Sequence, residues 1–421
     1  MGAKNINPNQ NIFTKYKEMY LINSYKNQSI IPTPIPGTEF ISTWDTRNIQ
    51  TGSSASNQVA FPFFVTTSGL DYYIDWGDSN VEHYTNTTDV NLVHTYASSG
   101  VYTIILWGVK TGNISFNILP THGFKDYQKI TNISQFGTSV VWNLIYNSNY
   151  RNFFSCINLT LTATDFWDRV IQGNTSIRDF FNSCTKITNL PGAETWDMSG
   201  LTYTSGAFRG CQFNQDISGW DVSNMLTNTA MIANNSVFNQ EIGVWDTTKW
   251  TSTDFFFADC TTFNKPLPWT FHPTANLIFT ACFSSCFAFD QDLSTWNMQN
   301  ATTLNSMFQS ATAFTGIGVG SWVLNKPVNL YRMFFGASNF NADISGWNYE
   351  LVTNIGGFLQ SATSFSTENY DKLLISWASQ NLNPNLSTYI SSKYTLGGAA
   401  EAARAYIIAT FNWTIVDLGG I

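Results

Sequence analysis

Three residue classes in this chain could do chemistry: histidines, cysteines, and carboxylates that recur at a fixed spacing. The histidines His83, His94, His122 and His272 stand nowhere at zinc-ligand spacing with cysteine. His94 lies in a β-rich run and reads as a packed residue. No Gly-rich phosphate loop, Gly-x-Ser-x-Gly elbow or His-Glu-x-x-His is present. Asp216, Asp292 and Asp343 return once per segment of a repeating pattern. A close pair could cleave a glycosidic bond, and an aligned column could hold Ca²⁺. A residue that recurs in every unit is expected instead to serve the unit itself. Five of the six cysteines, Cys156, Cys184, Cys211, Cys260 and Cys286, stand three residues after a phenylalanine, where two later units carry Ala311 and Ala337. Exchange with Ala asks for a small buried apolar group, which a free thiol is. Cys184 and Cys211, one period apart, are the pair that could reach disulfide distance, but a reduced structural role is expected. No catalytic residue and no resident cofactor is read from these classes, Ca²⁺ being the one candidate ion.

The elements that hold these residues are repeats. Trp196, Trp220, Trp245, Trp269, Trp296, Trp322 and Trp347 are 24, 25, 24, 27, 26 and 25 residues apart. About seven residues before most of them stands Phe213, Phe238, Phe263, Phe289, Phe314 or Phe340. A fixed period of this length marks stacked supersecondary units, none of which can bury its apolar face alone. The Phe, Trp and Cys/Ala positions are therefore expected to form structural ladders along the stack, one parallel strand per unit. Asn and Asp beside the turns would satisfy turn amides locally. Pro266, Pro268 and Pro273 predict a bulge or break around Trp269.

The best-kept unit, Phe213-Asn-Gln-Asp-Ile-Ser-Gly-Trp-Asp-Val-Ser-Asn-Met225, resembles the BspA-like repeats of bacterial surface proteins. Phe289-Asp-Gln-Asp-Leu-Ser-Thr-Trp-Asn297 and Phe340-Asn-Ala-Asp-Ile-Ser-Gly-Trp-Asn348 repeat the match. The family's preceding Met-x-x-Met-Phe survives partly, as Ser306-Met307-Phe308 and Arg332-Met333-Phe334. The resemblance implies a right-handed, leucine-rich-like solenoid over residues 120–367. Upstream, Asp75-Trp-Gly-Asp78, His94-Thr-Tyr96 and Gly100-Val-Tyr-Thr103 resemble a PKD-like immunoglobulin-type β-sandwich, placed at 39–119. Residues 368–421 break the period. Tyr370, Leu373, Leu374 and Trp377 have helical spacing, as does 399–411, and 412–416 reads as a strand, so this end is an α/β cap. The expected class is mostly β.

Composition narrows the partners. Charged residues are only 11% and aromatics 16%, so the surface must be built from Asn, Thr, Ser and Gln. The 20 basic residues are scattered, whereas nucleic-acid binding needs them clustered. No apolar run approaches the roughly 20 residues of a membrane span. Residues 1–38 stand apart, slightly basic through Lys4, Lys15, Lys17 and Lys26, with an apolar cluster from Tyr16 to Ile22, and end in the linker-like Ile31-Pro-Thr-Pro-Ile-Pro-Gly37. They are read as an arm that docks on other virion or surface proteins. No signal-peptide core is visible at the start. The expected function is therefore a non-enzymatic structural or adhesion protein, a virion component such as a phage tail, fibre or capsid-surface protein, binding a host protein or glycan. The alternatives are a secreted bacterial cell-surface adhesin, a spacer without a ligand, and a glycan-active enzyme. Homo-oligomerisation is left open.

Overall fold

Runs rich in β-branched and aromatic residues form the first strands: β1 (Phe40–Asp45), β2 (Gln58–Val65), β3 (Asp71–Asp75), β4 (Val81–Thr85), β5 (Asn91–Thr95), β6 (Val101–Lys110), β7 (Ile114–Phe116) and β8 (Ile130–Gln135). The computed structural model describes residues 31–65, 71–85, 91–110, 114–116, 125–140 and 152–421. The docking arm expected at 1–38 lies outside them as far as residue 30, and so does His122. Strands β4-β3-β6-β1-β8 form one sheet and β5-β2-β7 another. Between them Phe61 packs against Trp44 and Trp76, with ring centroids 5.5 and 5.9 Å away.

The three short motifs of this region interlock. Asp75 Oδ1 accepts the Gly77 amide at 2.8 Å, and a side chain at Gly77 (φ 81°) would meet Thr103 O at 2.5 Å. His94, 7% exposed, stacks on Trp76 at 4.7 Å and bonds Asp78 through Nε2 at 2.8 Å. Tyr96 donates to Trp76 O at 3.0 Å and stacks on Tyr102 at 3.6 Å. Lys129 is buried beside Asp126 (3.3 Å) and donates to the carbonyls of Ser54, Ala55 and Gln58, tying the start of β2 to the approach to β8.

Strand β8 joins the two halves. It pairs antiparallel with β1 and parallel with β9 (Thr160–Leu161), the first strand of the repeat region. The boundary expected at residue 119 thus falls before a strand that both parts share. One continuous core runs from Phe40 to Ile415.

Beyond β9 the chain winds in coils about 25 residues long. Each is centred on one buried residue: Phe181, Phe208, Ile232, Phe257, Phe283, Phe308, Phe334 and Leu359. Around each centre, alternate N–H groups point to the following coil. Examples are Phe181 N to Ala207 O at 2.9 Å, Phe257 N to Cys282 O at 3.0 Å and Phe334 N to Phe358 O at 3.0 Å. The residues between them close short turns, as Cys184 N does to Phe181 O. This alternation requires left-handed backbone two residues before and two after the centre. Ala230 and Asn234, Phe255 and Asp259, Ala281 and Ser285, and Ser306 and Ser310 all have φ between 50° and 60°.

The expected parallel strand per unit is found only in part. Four coils carry strands of two or three residues, β10 (Leu277–Ile278), β11 (Ala301–Thr303), β12 (Val328–Asn329) and β13 (Val352–Asn354), paired in parallel. Other coils meet through single bridges, such as Tyr203 with Thr227. The break predicted at Trp269 does not occur. Its ring stacks on Trp245 at 6.4 Å and on Trp296 at 6.3 Å. The prolines are accommodated because Gly243 faces them: a Cβ there would come within 2.6 Å of Pro266 O and 2.9 Å of Pro268 Cδ.

The end of the stack holds α1 (Thr367–Ala378), β14 (Ser387–Tyr389), α2 (Ala399–Phe411) and β15 (Thr414–Val416). Ser366 caps α1 by accepting the Asn369 amide, and Tyr370, Leu373, Leu374 and Trp377 are its buried face. Strand β14, absent from the sequence reading, pairs in parallel with β15. It also receives the last repeat through Leu359 N to Tyr389 O at 3.3 Å. Asp417 then locks the helices, accepting from Arg404 Nε and Tyr370 Oη at 2.7 Å each.

A left-handed residue with a side chain costs roughly 1–2 kcal/mol. Ser310→Gly (φ 58°) should therefore raise stability by about 0.5–1 kcal/mol. Ala311→Gly, next door in the buried small-residue column, should lower it by about 1 kcal/mol or more. Urea unfolding of the two variants checks this; equal effects would mean that the left-handed position is not strained.

Candidate interaction surface

The sequence-derived ladder residues are all buried, and their polar atoms serve the stack. Trp196–Trp220, Trp220–Trp245 and Trp322–Trp347 stack with centroids 5.8, 6.2 and 6.0 Å apart. Each indole N–H from the second tryptophan onward donates to a carbonyl of the preceding coil. Trp220 reaches Ala193, Trp245 Ile217, Trp269 Ile242, Trp296 Leu267, Trp322 Leu293 and Trp347 Val319, at 2.7–3.1 Å. The outer phenylalanine column runs Phe213, Phe238, Phe263, Phe289, Phe314, Phe340, Phe365 at 5.7–6.3 Å.

All six cysteines are free and buried. Cys184, Cys211, Cys260 and Cys286 donate S–H to the carbonyls of Phe153, Phe181, Ile232 and Phe257 in the preceding coil. The disulfide considered for Cys184 and Cys211 is not formed. Burial pushes these thiols up, Cys260 to about 12, away from nucleophilic use. One coil departs from the pattern and was passed over in the sequence: Ile232 stands for the phenylalanine and Asn235 for the cysteine. Asn235 makes a different cross-coil bond, donating to the outer phenylalanine carbonyl, Phe213 O, at 2.8 Å.

The repeated Phe-Asn-Gln-Asp divides its labour. The asparagine does not cap its own turn, as expected, but bonds between coils. Asn214 Oδ1 accepts from Asn239 N, Asn239 Oδ1 from Asn264 N, Asn264 Oδ1 from Asp290 N and Asp290 Oδ1 from Thr315 N, all at 2.8–3.0 Å. Gln240 and Gln291 reach back to the same asparagines, Asn214 and Asn264. The aspartate does act locally. Asp216, Asp292 and Asp343 accept the amide two residues on at 2.8–3.0 Å, and so do Asp197, Asp221 and Asp246 after their tryptophans. The three recurring aspartates do not meet as an acid pair, because they lie in non-adjacent coils. Among the described residues no cluster of three His, Cys, Asp or Glu side chains could hold a metal ion.

These caps titrate. The carboxyls of Asp197, Asp216 and Asp246 are held below the usual carboxylate range, first by the hydroxyl and then by the amide of Ser199, Ser218 and Thr248. A depressed folded value contributes stability above the unfolded value of about 4 and loses it as pH falls through the folded one. The melting temperature should therefore drop below about pH 4. The triple variant Asp197→Asn/Asp216→Asn/Asp246→Asn should lose part of that slope, which melting curves between pH 2 and 7 would show.

What the ladders leave outside is a strip flanking the left-handed turns. It comprises the positions three and two before, and one and two after, each central residue, except where small side chains such as Ala230, Ala233, Ala258 and Ala281 are buried in its floor. Side chains here change from coil to coil: Arg178, Ser205, Thr229, Asp254, Thr280, Asn305 and Tyr331 occupy one column. Within the coils from Ile177 to Ala362, the arginines Arg178, Arg209 and Arg332 all lie on this strip, whereas Lys186, Lys249, Lys265 and Lys326 do not. Phe255 is 44% exposed on it. The Arg332 guanidinium lies 5.1 Å from the ring centroids of both Tyr331 and Phe335. Gly356 leaves room for Tyr331, since a Cβ would stand 3.1 Å from that ring. At the other end, Phe154, Asn182, Ser183, Thr185, Arg209, Gly210, Gln212 and Asn234 line a groove of about 530 Å³. Sequence reading missed Arg209, Phe255 and Arg332, because they occupy different steps of the period and share no motif.

A family profile described as "Mycoplasma protein of unknown function, DUF285" matches residues 175–278 and again 277–388, the stretch that carries the ladders and the strip. No curated protein and no solved structure matches the chain. With just over half of its length matched in two successive passes, the chain belongs to the DUF285 family.

Proposed function

We propose that this protein is a non-enzymatic surface protein whose repeats present the turn-flanking strip to a host or partner protein or glycan. In this reading the coils form a right-handed leucine-rich-like solenoid of BspA type, led by a PKD-like sandwich and closed by residues 368–421. The observation that carries the proposal is the division between columns. Polar side chains that recur are absorbed by cross-coil or turn hydrogen bonds, and the exposed side chains of the strip, Arg178, Arg209, Phe255 and Arg332 among them, vary from coil to coil. Tyrosine and arginine on that strip are types that dominate binding energy at interfaces, and phenylalanine is enriched at interface cores. A virion-surface setting, with residues 1–38 docking on other particle proteins, is part of the proposal. The second reading is a bacterial cell-surface adhesin, favoured by the Mycoplasma description of the matched family. A glycan-active enzyme is not favoured, since the recurring carboxylates are engaged in turns.

Fluorescently labelled full chain, applied to a glycan array and to intact bacterial and animal cells, tests this. Arg209→Ala/Phe255→Ala/Arg332→Ala should reduce binding roughly tenfold or more. Val244→Ala/Val323→Ala, also exposed but off the strip, should leave it within about twofold. Equal effects of the two variants, no binding at all, or hydrolysis of a polysaccharide by the purified chain would overturn the proposal.

A further inference from the structure

We infer that the groove beside Arg209 is a binding site for a carboxylate-bearing saccharide. The inference rests on the surface-binding reading and names a ligand class for one part of the strip.

Successive coils build the groove from equivalent positions, so it runs along the stack. Phe154 comes from the stretch before β9 that bonds to the Phe181 coil, Asn182 to Thr185 from the coil centred on Phe181, Arg209 to Gln212 from that on Phe208 and Asn234 from that on Ile232. Its volume, about 530 Å³, falls in the range of roughly 300–1,000 Å³ that holds small ligands. Arg209 is fixed through one nitrogen. Its Nε donates to Asn234 Oδ1 at 3.3 Å, and Asn234 Nδ2 is turned to Asp259 Oδ2 at 3.4 Å. Among the described residues the two terminal nitrogens of Arg209 hold no hydrogen bond. That planar pair matches a carboxylate with two parallel N–H···O bonds. Asp179, the other carboxylate close by, is engaged by Asn182 Nδ2 at 2.7 Å and lies 3.8 Å from Arg178 Nε. Gly210, left-handed at φ 76°, lets this coil pack closely on the preceding one, since a Cβ there would stand 3.2 Å from Ser183 Cα.

The rest of the lining favours a sugar over an acidic peptide. Gln212 is fully engaged with Gly210, Asn234 and Ser236, while Asn182, Ser183 and Thr185 bond within the protein and keep spare lone pairs that ring hydroxyls can donate to. Phe154 is the one aromatic residue of the lining. A peptide would need apolar recesses for its side chains, and the remaining lining residues are polar or glycine.

Isothermal titration of the full chain tests the inference with 3′-sialyllactose and a hyaluronan tetrasaccharide. The controls are lactose, carboxyl-reduced hyaluronan tetrasaccharide and tetraglutamate. At least one acidic saccharide should bind, and which one distinguishes a sialic from a uronic acid. The neutral counterparts, and the Arg209→Gln protein, should bind roughly tenfold or more weakly, the loss of a charge-assisted pair. Val323→Ala, exposed but off the strip, should bind as the parent does. Thr185→Tyr, which fills the groove from an exposed position, serves as a second variant, and unchanged melting curves establish that both fold. Failure of both acidic saccharides to bind, equal binding of the neutral sugars or of tetraglutamate, or full affinity in folded Arg209→Gln and Thr185→Tyr would overturn the inference. If that happens while the triple strip variant still loses cell or array binding, the groove assignment fails and the surface-binding reading stands.

Discussion

Everything in the repeat region depends on one interaction: the backbone N–H that each coil donates to a carbonyl of the next. A 25-residue turn of chain cannot pair its own amides across itself, and buried unpaired amides cost roughly 1–3 kcal/mol each. Pointing alternate amides at the neighbour solves this, and it dictates the left-handed residues at Ala230, Phe255, Ala281 and their equivalents. Such conformations persist only where the surroundings over-determine them, and the stack does so from both sides.

The side-chain pattern follows from the same constraint. The carbonyls of Phe181, Phe257, Ile217 and Leu293 each close a turn within their own coil through the amide three residues on, and their second lone pair takes a cysteine thiol or an indole N–H from the following coil. Trp-to-Trp stacking near 6 Å sets the hydrophobic column, while the indole bond fixes how each ring sits. The asparagine ladder does on the outer edge what the backbone does at the centre. Since each recurring residue is engaged in holding one coil to another or in closing a turn, chemistry is left to the positions that vary. Arg209 and Arg332 are such positions.

How far the sequence reveals this can be judged residue by residue. The tryptophan and phenylalanine columns are legible because large aromatic side chains have only one buried place to recur. The helix at 367–378 is legible from Tyr370, Leu373, Leu374 and Trp377, and that at 399–411 from its own spacing. The left-handed turns are not, because alanine, phenylalanine and serine stand where glycine would have announced them. The continuity at Trp269 is hidden too, since the prolines that predict a break are answered by Gly243 in the neighbouring coil, 23 residues before Pro266. The sharing of β8 between both halves depends on pairing with Thr160, which no local pattern marks. The strip escapes for the opposite reason: a surface defined by difference between repeats has no motif.

If cross-coil bonding is what each unit contributes, one whole unit can be removed without loss of the rest. Deleting residues 284–308 joins Phe283 to Gln309-Ser310-Ala311 and restores the register, placing β10 beside β12. Circular dichroism with urea unfolding is the most direct measurement. The account predicts that this deletion keeps the parent β spectrum and a cooperative transition, whereas deleting residues 284–295, about half a period, abolishes both. Loss of folded structure in both deletions, or its survival in both, would contradict it.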